Sequence, residues 1–94
     1  MQSVKAINHI GIAVSSIADQ KAFYEQIGAV YEGEEVVADQ KVKVAFFKVG
    51  DVRLELLEPT DPTSTVAAFI EKRGQGLHHV AYTVDDLESR IAEL

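Results

Sequence analysis

Two histidines, His9 and His79, lie in short apolar stretches that repeat each other along the chain. A shift of 79 − 9 = 70 residues superimposes the sequence INHIGIAV on LHHVAYTV and aligns the polar residues that follow each stretch. A neutral imidazole on a rigid strand is a good ligand for a divalent metal ion. One strand histidine by itself is usually structural, whereas two at equivalent positions of a repeat indicate a shared site.

The neighbours of these histidines suggest how the two rings are presented. Side chains alternate between the faces of a strand, so His9 shares its face with Gly11, and His79 shares its face with Ala81. These small residues predict free space beside each imidazole. The same alternation places His78 on the opposite face, which favours a structural role for it.

Glu55 is a third residue with possible chemistry. It lies inside the apolar sequence LELL, so it either faces solvent from an outer face or is placed there for a function. Carboxylates commonly complete metal sites that histidines begin. Because the chain has no cysteine, His, Asp, Glu and Gln are the side chains available to bind a metal.

The composition limits the class of protein. Ninety-four residues make one small domain, and 47% hydrophobic with 26% charged residues is typical of a globular protein. The net charge of −6 argues against a nucleic-acid partner, and no apolar run is long enough to span a membrane. We therefore expect a soluble, cytoplasmic protein. Four basic residues could bind an anionic small molecule or form a solvated strand face: Lys41, Lys43, Lys48 and Arg53.

The elements that must position these residues follow from periodicity, caps and turns, and they predict an α+β protein. Ser15-Ser16 supplies an N-cap for a first helix that ends before Gly28. A second helix spans Ser64–Lys72, and a last one begins at Asp85 and reaches the chain end. The predicted strands are 6–14, 30–37, 42–49, 52–58 and 77–84. The order is a βαβββ module, a connecting helix and a partial second module (βα).

Four segments, INHIGIAV, FYEQIGA, VRLELLEPT and GLHHVAYTVDD, resemble the methylmalonyl-CoA epimerases, a family of the vicinal-oxygen-chelate superfamily that includes glyoxalase I. The resemblance covers essentially the whole chain. It implies a glyoxalase-like fold, in which each βαβββ module forms half of an open barrel around a divalent metal. On this basis residues 1–94 are a single incomplete domain, with a first module at 1–60, a connecting helix at 61–75 and the start of a second module at 76–94.

The resemblance also implies the ligands of that metal: His9, Glu55 and His79. The implied cofactor is a divalent ion, Co²⁺ or alternatively Zn²⁺, Mn²⁺, Mg²⁺ or Ni²⁺. The family's further glutamate ligand, an expected base, would lie beyond Leu94. A base that some members carry on another strand falls near Lys43–Val44, where this chain has no carboxylate, so the catalytic residues are unknown. Asn8 replaces the Asp often found before the first histidine.

The implied activity is interconversion of the stereoisomers of methylmalonyl-CoA by proton transfer at the α-carbon through an enolate. Without the expected base, we expect the 94-residue chain to be a poor catalyst or none. Two alternatives stay open: a glyoxalase I-like isomerase, and a non-enzymatic ligand-binding protein of the same fold. The expected partners are an acyl-CoA substrate and a second copy in a homodimer, since an incomplete module leaves open edges that another chain could cover.

Overall fold

The computed structural model describes residues 4–84 and 89–93. Within these ranges six strands form one sheet in the order β2-β3-β4-β1-β5-β6, and β1 pairs parallel with β4 and antiparallel with β5. The elements in chain order are β1 (Val4–Ala13), α1 (Ile17–Gln26), β2 (Val30–Val37), a 3₁₀ turn (Ala38–Gln40), β3 (Val42–Val49), β4 (Val52–Pro59), α2 (Thr65–Arg73), β5 (Gly76–Val84) and β6 (Ser89–Glu93).

The predicted α+β class and the βαβββ order are confirmed, and β2 and β3 have the predicted bounds. The predicted last helix is wrong over residues 89–93, which form β6 and pair antiparallel with β5. Without β6, the backbone N–H and C=O groups along that edge of β5 would be unpaired, and pairing with β6 satisfies them. The remaining residues of that predicted helix, 85–88 and 94, lie outside the described residues.

Helix α1 packs on one face of the sheet. Its N-cap is Ser16, whose hydroxyl oxygen accepts a hydrogen bond from the Asp19 N–H at 3.2 Å, which confirms the predicted cap. Ile17, Phe47 and Leu56 are the largest fully buried side chains of the described residues, and all three lie in this core. Burying one such side chain contributes about 1.5–3 kcal/mol. This core therefore anchors the sheet to α1.

Helix α2 packs on the opposite face. Its N-cap is Ser64, a buried residue whose hydroxyl oxygen accepts a hydrogen bond from the Val66 N–H at 3.1 Å. Four strand side chains of this second core alternate with those of the first along β1, β3 and β4: Ala13, Val42, Val44 and Leu57. Val66 of α2 packs against them. The same alternation places His9 and Glu55 on the α2 side of the sheet. In the described part of the chain, no helix is long and apolar enough to cross a membrane.

Candidate metal site

Three neighbouring strands bring the sequence-predicted residues together. The parallel pairing of β1 and β4 sets Gly11 opposite Glu55, and the antiparallel pairing of β1 and β5 sets Gly11 opposite His79. His9 lies two residues earlier on β1 and therefore on the same face. One ligand atom from each of His9, Glu55 and His79 lies within 4.8 Å of the other two, and all three side chains are half-buried.

The two imidazoles meet through their Nε2 atoms. These atoms are 3.2 Å apart, and the rings are nearly perpendicular, with an interplanar angle of 87° and centroids 5.2 Å apart. Two nitrogens that each lie about 2.0–2.1 Å from one ion are separated by roughly 3.0–3.4 Å at the usual ligand angles. The observed spacing therefore fits two ligands of a single divalent ion. With Glu55 as a third ligand, positions would remain open for a substrate.

Gly11 is what allows the two histidines to approach. A Cβ atom added at Gly11 would lie 2.3 Å from Cε1 of His79 and 2.6 Å from its Nδ1. The space predicted beside His9 is therefore filled by the ring of His79. A larger residue at position 11 would displace that ring from the cluster.

Each proposed ligand also contacts a second polar group. Arg53 Nε donates to Glu55 Oε2 at 2.9 Å, and only 13% of the Glu55 side chain is exposed. This contact orients the Glu55 carboxylate. His9 Nδ1 lies 2.9 Å from the Asn8 side-chain oxygen.

His78 is the residue that sequence reasoning misplaced. In the pairing of β1 with β5, Gly11 faces His79 and Ile12 faces Leu77, so His78 is the extra residue of a β-bulge. Its ring packs edge-on against Phe69 of α2, with centroids 4.9 Å apart, and its Nδ1 lies 2.9 Å from the Nδ1 of His79. The predicted placement on the opposite face is thus wrong, because strict alternation does not hold across a bulge. The two adjacent histidines, His78 and His79, are the sequence feature that could have indicated this arrangement.

A cavity adjoins this cluster on the α2 side of the sheet. Its polar lining residues are Glu55, His78 and His79 beside the cluster, together with Gln40 and Thr65. Most of its remaining wall is apolar, and includes Val37, Val42, Val44, Phe46, Leu57 and Val66. The arrangement places two imidazoles and a carboxylate beside an apolar surface large enough for a small molecule, as is typical of ligand sites.

The four basic residues do not form one cluster. Lys43 pairs with Glu34 at 3.1 Å, and the hydrogen bonds from Tyr31 and Lys43 lower the pKa of the Glu34 carboxyl. Lys41 donates to the Thr63 hydroxyl. Lys48 and Arg53 line a separate groove that also contains the carboxylates of Glu32 and Asp51. The basic residues therefore do not form a single anion site.

The sequence matches the family described as Glyoxalase/Bleomycin resistance protein/Dioxygenase superfamily over residues 8–94. It is 48% identical to the uncharacterised protein YqjC of Bacillus subtilis, over 94% of this chain and 64% of that protein. It is 32% identical to the human mitochondrial methylmalonyl-CoA epimerase, over 94% of this chain and 51% of the relative. A solved structure of methylmalonyl-CoA epimerase in complex with methylmalonyl-CoA and NH4+ has a TM-score of 0.79 and 36% identity, covering 85% of this chain and 60% of that one. The chain thus spans about half to two thirds of the length of these proteins.

Proposed function

This chain belongs to the glyoxalase/bleomycin resistance protein/dioxygenase superfamily, and we propose that it contributes metal ligands to a divalent-metal-dependent epimerase that acts on methylmalonyl-CoA. The observation that carries the proposal is the convergence of His9, Glu55 and His79 within 4.8 Å. The likeness to methylmalonyl-CoA epimerases over 94% of the chain supports the choice of reaction.

The modules are part of the same proposal. We take residues 1–60 as the first module, 61–75 as the connecting helix and 76–94 as the start of a second module. The element bounds support this division, because β4 ends at Pro59, α2 spans Thr65–Arg73 and β5 begins at Gly76.

The residues of this chain would hold the ion and present an apolar surface to the substrate. His9 and His79 would bind through Nε2, and Glu55 through its carboxylate, which Arg53 orients. A divalent ion in such a site supplies Lewis-acid polarisation of a carbonyl group, which makes an adjacent C–H bond more acidic. The apolar wall of the cavity would limit the access of water to a substrate bound beside the ion. The glutamate base expected beyond Leu94 stays a prediction.

The test is exchange of the α-proton of methylmalonyl-CoA for deuterium in D₂O, followed by mass spectrometry with and without Co²⁺. We expect metal-dependent exchange from a version of the protein that continues through a complete second module, and little or none from residues 1–94 alone. A His9→Ala variant of the longer version should lose exchange. The proposal is wrong if the longer version shows no metal-dependent exchange.

The same preparation separates the alternatives. Preferential turnover of a glutathione hemithioacetal would indicate a glyoxalase I-like isomerase. Ligand binding in the cavity without Co²⁺ or Zn²⁺ binding would indicate a non-enzymatic binding protein. The homodimer and the cytoplasmic location stay predictions, and a molecular mass that remains monomeric across a range of protein concentrations would contradict the first.

A further inference from the structure

The apolar cavity beside the proposed metal site extends along β3 on the α2 side of the sheet. Its walls are six apolar side chains, which we call the β3 slot: Val37, Val42, Val44, Phe46, Leu57 and Val66. The cavity has a volume of about 360 Å³, within the roughly 300–1,000 Å³ that is usual for sites of small organic ligands. The proposed ion would lie at one end of this slot, so most of its length remains for another part of a substrate.

The strand register gives the length of the slot. Phe46 pairs with Glu55 at one end, and Val42 pairs with Pro59 at the other. Side chains on the same face of a strand repeat about every 6.6 Å, so Val42 lies about 13 Å from Phe46 along the sheet. An extended hydrocarbon chain advances about 1.3 Å per carbon, so the slot has the length of about eight to ten carbons.

The two ends of the slot differ in exposure. Glu55, at one end, is half-buried and belongs to the proposed ligand set. Gln40 and Thr65 line the cavity as well, and both are exposed. The Thr60 N–H donates to the Lys41 carbonyl at 2.9 Å, which ties the turn that carries Gln40 to the loop before α2 and so places these two residues at the far end. The slot therefore runs from the proposed ion to solvent.

Between its ends the slot offers a ligand no polar partner among the described residues that line it. The side chains there are aliphatic or aromatic, and the backbone of β3 is already paired on both sides, with β2 and with β4. A ligand amide placed there would lose its hydrogen bonds to water without replacement, whereas each buried methylene gains affinity. The walls therefore favour a hydrocarbon chain over the amide-containing arm of a thioester.

We propose that the β3 slot binds the alkyl substituent on the α-carbon of the substrate, so that the site accepts 2-alkylmalonyl thioesters with substituents of up to about eight carbons. This inference rests on the proposed function, because Glu55 marks the end at which the α-carbon lies. Two residues set the length that fits: Val44 lies about 6.6 Å beyond Phe46, and Val37, which pairs with Val42, lies about 13 Å beyond it.

The first test is calorimetric titration of the 94-residue chain with 2-alkylmalonates from methyl to dodecyl, with and without Zn²⁺. We expect the affinity to rise by about two- to fourfold per methylene and to stop rising near eight carbons, where the chain reaches solvent. The slot causes this rise, so it is expected without Zn²⁺ as well. A flat series, or one that still rises at dodecyl, would overturn the inference.

Variants at two depths measure the slot directly. Val44→Phe fills its middle and Val37→Phe fills its far end, so the rise should stop at about four carbons in the first and about six in the second. Val36→Phe is the matched control and should behave as the wild type, because Val36 is 62% exposed and lies on the other face of β2. A length limit that is the same in Val37→Phe and the wild type would contradict the inference. These two series and the control decide the question if Val44→Phe does not fold.

Exchange assays separate this inference from the proposed function. In a version of the protein with a complete second module, 2-hexylmalonyl-CoA should exchange its α-proton in D₂O with a kcat/KM at least equal to that of methylmalonyl-CoA. Val44→Phe should lower the ratio of the two values at least about 10-fold. Exchange of methylmalonyl-CoA without exchange of 2-hexylmalonyl-CoA would overturn the inference and leave the proposed function intact. A length limit in the titrations with no exchange of either thioester would support the slot and refute the proposed function.

Discussion

Replacing Gly11 by alanine tests the geometry of the site with a single methyl group. The added Cβ would lie 2.3, 2.6 and 2.8 Å from Cε1, Nδ1 and Nε2 of His79. Carbon atoms in contact are ordinarily about 3.5–4.0 Å apart, so the ring must move by roughly 1.2–1.7 Å. Coordination distances tolerate changes of only about 0.2 Å. We therefore expect His79 to leave the ligand set.

The fold should survive this change. Gly11 is buried in β1, and glycine inside a strand is less favourable than alanine by about 0.5–1 kcal/mol. This gain offsets part of the cost of moving the ring, so the melting temperature should change by only a few degrees. The affinity for Zn²⁺, measured by competition with a chromophoric chelator, should fall by at least about 10-fold. Removing only a group that hydrogen-bonds a metal ligand already costs that much, and here a ligand itself is displaced.

A double-mutant cycle supplies the matched control. The three atoms nearest to the new methyl group all belong to the His79 ring, so in a His79→Ala background Gly11→Ala should be neutral or slightly stabilising. The free energy of unfolding from urea titrations gives the interaction between the two positions. The reasoning is refuted if Gly11→Ala binds Zn²⁺ as tightly as the wild type, or if its effect on stability is the same in both backgrounds.

Three further predictions concern the surroundings of the site and the stability of the fold. Arg53→Ala should weaken Zn²⁺ binding, because Glu55 loses the hydrogen-bond donor that holds its Oε2, and Arg53→Lys should recover part of the affinity. Equal Zn²⁺ affinities for the wild type and both variants would contradict this prediction. Phe47→Ala should lower the free energy of unfolding by about 3–5 kcal/mol in urea titrations, because Phe47 is fully buried in the core beneath α1. A loss under about 1 kcal/mol would contradict this and would indicate that neighbouring side chains fill the space left by the ring. Hydrogen bonds from the hydroxyl and the N–H of Thr63 hold the pKa of the Asp61 carboxyl below its ordinary value of 3.8. The ionised carboxylate therefore stabilises the fold above pH 3.8, and this stabilisation is lost as the pH falls through the pKa of the folded protein. An NMR titration of the Asp61 carboxyl should show a midpoint below 3.8, and the stability difference between wild type and Asp61→Asn should shrink on acidification.

Much of the local structure follows from the sequence alone, because it depends on short-range patterns. The apolar runs around His9 and His79 predict β1 and β5, and the hydroxyls of Ser16 and Ser64 mark where the helices begin. The repeat also identifies the two histidines as a pair, and the family resemblance adds Glu55. The structure brings these three residues together, while their role as metal ligands stays a prediction.

The remaining features depend on how strands pair, which no local pattern encodes. From the sequence, Gly11 predicts open space beside His9. In the structure, the strand register places the ring of His79 in that space. His78 falls on the wrong face under strict alternation, because one extra residue in β5 turns it towards its neighbour. Residues 89–93 form a strand since the edge of β5 offers them backbone partners. The sequence determines which side chains are available and on which elements; tertiary pairing decides which atoms meet, because contacts across strands join residues far apart in the chain.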